Sequence, residues 1–435
     1  MFSTKKNIVR FGAVAVATVA VGALAGCSGS SDEPAELSDG DVTISLAYWG
    51  GDTRVSQTDE AIAAFEAEHP NITIEAEPAD WTGYWDGLAT RTAAGDMPDV
   101  VQMDELYLAS YADRGALADM GKLDIDTTNI EESALATGQV DGTQYAFPHG
   151  IATYALVANK DLFDEYGVEL PDDETWTWDD FAATANELTE KSGGAVVGSD
   201  QIGGFDVGGL KHWARSDGNE VFGEDGKVTL DPAVLAKMWQ FQLDLQKSGG
   251  MNSAEAITES FNAGISGNDM ATGKVGFSAA WNTQLTALTD ASGANLVLLK
   301  APEPEGVNPS SYKPSMFWSV ASTSEHPAEA ALFIDFLENS EEAANIILTE
   351  RGVPANDVVR EAIADQLSPT DQAAIEYQDR VTPGDVAPLV TPNGASTIEA
   401  ILQRYTQEVF AGQSTPEDAA QAFIDELQGE IDNAR

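Results

Sequence analysis

The sequence predicts an α/β protein of about two domains, with sheets covered by helices. Three observations carry that expectation. From Val42 onward, apolar segments of strand character alternate with amphipathic helical ones, the order that lays strands side by side and folds each connecting helix back over the sheet. The chain has 435 residues, beyond the ~250–300 at which a single hydrophobic core stops growing. Its residues are 43% apolar and include one cysteine, so buried apolar surface rather than disulfides must hold the fold.

In chain order, Lys5, Lys6 and Arg10 precede an apolar stretch from Phe11 to Ala25, the pattern of a signal peptide over residues 1–26. The stretch ends in Leu24-Ala25-Gly26-Cys27, which matches the bacterial lipobox. Small residues admit a peptidase there, and the thiol behind them accepts a diacylglyceryl group. Cys27 is the expected lipidation site. Ser28 to Gly40 is rich in Ser, Asp, Glu, Gly and Pro without periodic apolar positions, so residues 27–40 read as a lipidated flexible tether. No later segment has the ~18 consecutive apolar residues that cross a bilayer. The expectation is an extracytoplasmic protein anchored to the cell membrane by an N-terminal lipid.

Order is expected from about Val42. Val42 to Trp49 reads as a strand, Thr53 to Glu68 as a helix with Ile62 and Phe65 inward, and Asn71 to Glu77 as a second strand. A helix from about Thr82 to Ala94 and a strand from Asp99 to Met103 follow, which implies a parallel sheet. A second alternating stretch begins near Ile151, with a strand from Thr153 to Ala158. Thr177 and Asp180 have capping-box spacing before a helix from Phe181 to Lys191, where hydroxyl and carboxylate can satisfy free amides. Gly273 to Ala280 reads as another strand. Further helices are expected at Pro232–Lys247, Pro327–Asn339, Glu341–Thr349, Thr397–Phe410 and Pro416–Asn433. The Gly-rich run from Gly193 to Gly209 lacks a Gly-Lys-Ser/Thr ending and does not support a phosphate loop.

Seventy-two acidic residues against 22 basic ones give a formal net charge of −50. Such a field repels phosphate backbones, so no nucleic-acid partner is expected. The charge describes a solvated surface and does not identify a ligand. With four histidines and one cysteine, no His/Cys metal cluster is available, and neither metal nor cofactor is expected.

Five segments, Ala47-Tyr-Trp-Gly-Gly51, Ala64-Phe-Glu-Ala-Glu-His-Pro70, Ala94-Gly-Asp-Met-Pro-Asp-Val100, Val157-Ala-Asn-Lys-Asp-Leu-Phe163 and Pro327 to Phe336, occur in register over about residues 42–355. Together they resemble the extracellular solute-binding proteins for sugars and oligosaccharides, of the maltose-binding type, that serve ABC importers. The resemblance implies a periplasmic-binding-protein-like fold of two hinged lobes, each with a central β-sheet flanked by helices. The chain would cross between lobes near Gly150, Lys313 and Gly352. Lobe one would be residues 41–150 and 315–352, and lobe two 151–314 and 353–435. A carbohydrate would sit in the cleft, beyond the carboxyl ends of the strands, and closure around it would present it to the permease subunits. A monomer without enzymatic activity is implied.

A sugar offers C–H faces to aromatic rings and hydroxyls to planar polar groups. Nine tryptophans are available. After the first strand stand Asp52, otherwise an N-cap, and Arg54, otherwise a solvated charge. Trp81, at a helix start, and Tyr84, off the apolar stripe of Trp81, Trp85 and Leu88, are candidate platforms, while Trp85 and Leu88 read as core. Gln102 and Asp104 follow the third strand, and Asp104 could instead cap a helix. His149 precedes the first crossing. Asp206 lies in the Gly-rich loop, Trp281 and Asn282 follow a strand, and Trp318 stands where the chain re-enters lobe one. Arg351, at the last crossing, reads equally as a structural ion pair.

Other readings are the same fold holding a peptide, a polyamine or another small nutrient, with a carboxylate-dominated cleft pointing to a cation. A secreted glycoside hydrolase would need a carboxylate pair, or a nucleophile near a base, and the chain has no Gly-x-Ser-x-Gly elbow.

Overall fold

The structure, a computed structural model, describes residues 36–434 except residue 266 and residues 382–389. The signal peptide, Cys27 and most of the tether lie outside the described residues. Residues 36–40 are exposed, and the Ser38 amide donates to the Glu329 carboxylate at 2.6 Å.

Among the described residues two sheets carry the fold. The first has six strands in the order β12-β6-β11-β3-β1-β2, where β1 is Val42–Trp49, β2 Ile72–Ala79, β3 Val100–Met103, β6 Phe147–Ala152, β11 Lys313–Val320 and β12 Val353–Pro354. The second has four in the order β10-β7-β9-β8, where β7 is Tyr154–Asn159, β8 Val197–Ser199, β9 Val275–Trp281 and β10 Leu296–Leu299. A short hairpin joins β4, Gln139–Val140, to β5, Thr143–Gln144.

Neither sheet is wholly parallel. Strands β1, β2 and β3 run parallel, linked by helices Asp52–Glu68 and Trp81–Ala94, as the alternation implied. β11 then pairs antiparallel to both β3 and β6, and β7 antiparallel to β9 and β10. The reason is the route of the chain: β11 enters the first sheet from the second, so no crossover helix dictates its direction.

Burial follows from local pattern. In β1, Val42, Ile44 and Leu46 are buried and Thr43 is exposed, whereas β3 is buried on both faces because it lies inside the sheet. In helix Asp52–Glu68 the positions 58, 61, 62 and 65 face inward, and Phe65 meets Phe333 and Phe336 edge-on with ring centres 5.0 and 5.5 Å apart. Helix Trp178–Lys191 opens with the expected capping box: the Asp180 amide donates to the Thr177 hydroxyl at 3.2 Å, and the Thr177 amide to the Asp180 carboxylate at 2.9 Å. Helices Val207–Ser216, Pro232–Ser248, Ile398–Phe410 and Pro416–Ala434 share a separate apolar cluster around Leu210, Trp239, Leu402 and Phe423.

The passages between sheets extend beyond the expected points. β6 continues past Gly150 to Ala152, and β7 starts at Tyr154. After Gly352 the chain still pairs with β6 through β12, and helix Asp357–Ile363 packs on helix Glu341–Ile347 through Val359, Ile363 and Ala344. Strand pairing thus carries the chain along the first sheet before it leaves. Helix Pro369–Arg380 then meets β7, its Tyr377 hydroxyl donating to the Tyr154 carbonyl at 2.8 Å. Gly352 has φ 101°, and a Cβ there would lie 2.3 Å from Ser315 Oγ, so this passage needs glycine.

Candidate functional site

The carboxyl ends of β3 and β9 come together between the sheets. β3 leads into Asp104-Glu105-Leu106. Leu106 packs against the helical cluster that contains Val207 and Leu210, and Lys211 Nζ lies 3.6 Å from Glu105 Oε2. These contacts close one side of a cleft.

The opposite wall is built on Trp281, the last residue of β9, whose amide donates to Gln284 Oε1 at 3.0 Å. The half-buried indole abuts the first turn of helix Val207–Ser216. A Cβ on Gly208 would come within 2.2 Å of its ring, so a side chain there would displace it. Asp206 caps that helix, accepting from the Gly209 amide at 3.1 Å, and its other oxygen accepts from the indole N–H at 3.4 Å. Lys313 Nζ stands 5.6 Å from the Trp281 ring centre. Beside Trp281 and Asp206 opens a pocket of about 320 Å³ whose wall includes Asp200, Gln201, Phe261 and Asn268.

Lys313, at the start of β11, is the electrostatic centre. Burial works against its charge, but Glu105, Asp104, Asp206 and Glu399 outweigh burial and raise its pKa. Burial pushes the Asp104 and Asp206 carboxyls up. Burial and then the Asp206 charge push Glu399 up to about 7. For Glu105 burial also pushes upward, but Lys211 and Lys313 together hold it below its ordinary value.

On the first-sheet side lies a cluster of aromatic rings. Trp49 meets Trp81 edge-on at 5.0 Å, and Trp85 stacks on Tyr107 at 3.9 Å. Trp81 is 42% exposed. A larger opening of about 540 Å³ runs between Ala109, Asp113 and Val140 on one side and Glu224, Pro392 and Asn393 on the other.

Trp281, Asp206, Asp104 and Trp81 therefore stand at or beside the cleft, and seven other candidates occupy different places. Asp52 is exposed in the first helical turn without a capping bond, the N-cap being Gly51. Arg54 is no solvated charge: its Nε is 2.9 Å from Glu350 Oε2 and its Nη1 donates to the Trp49 carbonyl at 3.0 Å. Tyr84 is buried and donates to the Gln102 carbonyl, because its helix lies close enough over β3 for the phenol to reach it. Gln102 is fully buried, its side-chain Oε1 accepting from Arg351 Nη1 at 2.7 Å. His149 and Trp318 sit in the same interior, His149 Nδ1 2.9 Å from Glu338 Oε1 and the Trp318 ring 4.9 Å from the Arg351 guanidinium. Arg351 is a buried hub that also donates to Thr58 at 2.7 Å.

Asn282, the seventh, is fully buried at the first passage between sheets. Its Oδ1 accepts from the Thr153 amide at 2.8 Å and its Nδ2 donates to the Ala374 carbonyl at 3.0 Å. These hydrogen bonds occupy the amide within the protein.

Sequence reasoning did not single out Glu105, Lys211, Glu399, Trp49 or Tyr107, and it named Lys313 only as a crossing point. Only the neighbours of chosen residues carried a signal: Glu105 adjoins Asp104, and Trp49 ends the first strand. Among the described residues no group of three or more His, Cys, Asp or Glu side chains is placed to hold a metal ion, and no helix is long and apolar enough to cross a membrane.

Residues 51–344 match the family described as bacterial extracellular solute-binding protein. An uncharacterised lipoprotein of Streptomyces antibioticus is 27% identical over 81% of this chain and 75% of its own length. A diacetylchitobiose binding protein of Streptomyces coelicolor is 29% identical over 39% of this chain and 40% of its own. Other relatives are matched over about half their length. Among solved structures, an extracellular solute-binding protein family 1 member from Alicyclobacillus acidocaldarius superposes with a TM-score of 0.73 at 25% identity, covering 91% of this chain and 99% of that one.

Proposed function

Since the chain belongs to the family of bacterial extracellular solute-binding proteins, components of ABC transport systems, we propose that it captures a sugar or oligosaccharide between its two sheets. The observation that carries this reading is Trp281 at the end of β9, with the Asp206 carboxylate 3.4 Å from its indole nitrogen beside a 320 Å³ pocket. A ring face for C–H surface and a carboxylate for hydroxyls are the two partners a sugar needs. Trp81 and Tyr107 on the other side supply further aromatic surface, and Asp104 a further acceptor. A relative described as a diacetylchitobiose binding protein and another described as an arabinooligosaccharide-binding protein support the ligand class.

The two sheets with their helices form hinged lobes in this reading. Sugar binds one lobe first, the second adds contacts on closing, and that differential affinity shifts the population toward the closed form. The closed form then presents the sugar to the importer's permease subunits. A lipid on Cys27 holds the monomer at the membrane, in line with the related lipoprotein. Binding, without a chemical step on the sugar, is the whole activity.

The carboxylates Asp104, Glu105, Asp206 and Glu399 favour a second reading, a cationic solute such as a polyamine. Charge balance weighs against it. Lys211 and Lys313 already occupy positions among these groups, and Asp104, Asp206 and Glu399 are pushed toward their neutral forms. A thermal-melt panel on residues 41–435 separates the two: N,N′-diacetylchitobiose, arabinotriose, maltotriose, digalacturonate, spermidine and a tetrapeptide. A stabilising shift from a sugar upholds the first reading. A shift from spermidine alone, with every sugar silent, replaces it with the second.

A further inference from the structure

We infer that His212 is a specificity-determining residue of this cleft, its imidazole reserved for hydroxyls of the sugar that docks against Trp281; the inference rests on the sugar-binding reading and deepens it.

His212 lies on helix Val207–Ser216 and is 5% exposed, yet neither ring nitrogen has a hydrogen-bond partner among the described residues. It lines a small pocket, with room for about 20 Å³ of water-sized volume, together with Trp281, Lys211, Lys313, Tyr312 and Glu105. That pocket admits a group the size of one water, for which ~10–15 Å³ suffices. Buried polar groups are normally paired, and an unpaired one costs free energy, so an imidazole facing such a pocket calls for an explanation.

Core packing does not supply one. The tilted contact with the Tyr154 ring, 5.4 Å between centres, would be made equally well by a phenyl ring without the cost of two unpaired nitrogens. His149, by contrast, is buried and meets Glu338 at 2.9 Å. A ligand does supply one, because the pocket adjoins the indole on which a sugar would stack.

The chemistry selects hydroxyls. Arg215, Lys211 and Lys313 are the nearby cations and Glu105 the nearby anion. Burial, aided by Arg215, lowers the His212 pKa to about 4, so the ring is neutral at ordinary pH. A neutral ring offers one donor and one acceptor. Hydroxyls use either nitrogen, whereas a carboxylate can use only the N–H and an ammonium only the lone pair.

The test is His212→Phe in residues 41–435, which keeps a ring and removes both nitrogens. The melting temperature without sugar should be unchanged or higher, and the affinity for whichever panel sugar stabilises the parent should fall about tenfold or more by titration calorimetry. His212→Gln, which restores a donor and an acceptor, should recover part of that loss. Nitrogen-15 NMR of the parent should show a neutral His212 imidazole whose resonances move when the same sugar is added, a readout that needs no variant to fold. Unchanged affinity in His212→Phe, or ring resonances that ignore a bound sugar, would overturn the inference while leaving the sugar reading in place. Silence of the parent itself toward every sugar would overturn both.

Discussion

Replacing Trp281 by Ala removes the surface on which the proposed sugar stacks. An aromatic side chain of this size buries ~150–250 Å², so one face presents on the order of 80 Å², worth about 2 kcal/mol at ~25 cal/mol per Å², or roughly 30-fold in dissociation constant. The loss of the indole N–H to Asp206 adds little, because at 3.4 Å that bond is long. A sugar at a hundred times its dissociation constant stabilises the parent by ~2.7 kcal/mol. For ~400 folded residues with an unfolding entropy of ~2.1 cal/mol/K each, that is a rise of about 3 °C. At the same concentration the variant sits at only about three times its constant, and the rise shrinks to about 1 °C. The assay is differential scanning calorimetry of both proteins with and without the sugar, comparing shifts rather than absolute temperatures. An equal rise in parent and variant would refute the placement of the ligand on Trp281.

Gly208→Ala should weaken the same sugar without removing any contact group, because the added Cβ would lie 2.2 Å from the Trp281 ring and must push it aside; calorimetric titration checks a loss of about tenfold, roughly 1.4 kcal/mol. Glu399 has a folded pKa of about 7 against an ordinary value of 4.5, so between those values the native state keeps a proton that the unfolded chain has released, and this group's contribution to stability falls as pH rises. Glu399→Gln should therefore stabilise the protein at pH 8 relative to the parent, by about 1–3 kcal/mol, and make little difference at pH 4, as read from urea unfolding at both values. Arg351→Met leaves Gln102 and Thr58 without their donor and should cost about 2–4 kcal/mol in the same unfolding measurement, with the sugar-induced shift preserved.

The periodic signals were local, and they were legible. Capping-box spacing at Thr177 and Asp180 located a helix start because both partners lie within one turn. Trp85 and Leu88 were rightly assigned to the core on helical spacing, and Trp81, taken as a platform, is exposed, but Tyr84, placed off the stripe by the same spacing, is buried. A helical period gives the angular separation of side chains, but which arc faces the sheet depends on how the helix is seated. The polar candidates show the same limit. Asn282, Gln102 and His149 looked available because Asn, Gln and His beside strand ends can meet a ligand, and the structure spends their hydrogen bonds on neighbours 129, 249 and 189 positions away.

By itself the sequence determined the α/β class, the family and the more strongly patterned strands and helices, since these follow from short-range periodicity and from motifs in register, whereas β6, β8, β10 and the helix Val207–Ser216 emerge only in the structure. Only the tertiary structure decided which charges meet. Glu105, Lys211, Lys313 and Glu399 come from four separate parts of the chain, and no spacing rule joins them. Their protonation depends on burial and on mutual distance, and both arise only when the strand ends of two sheets are brought face to face.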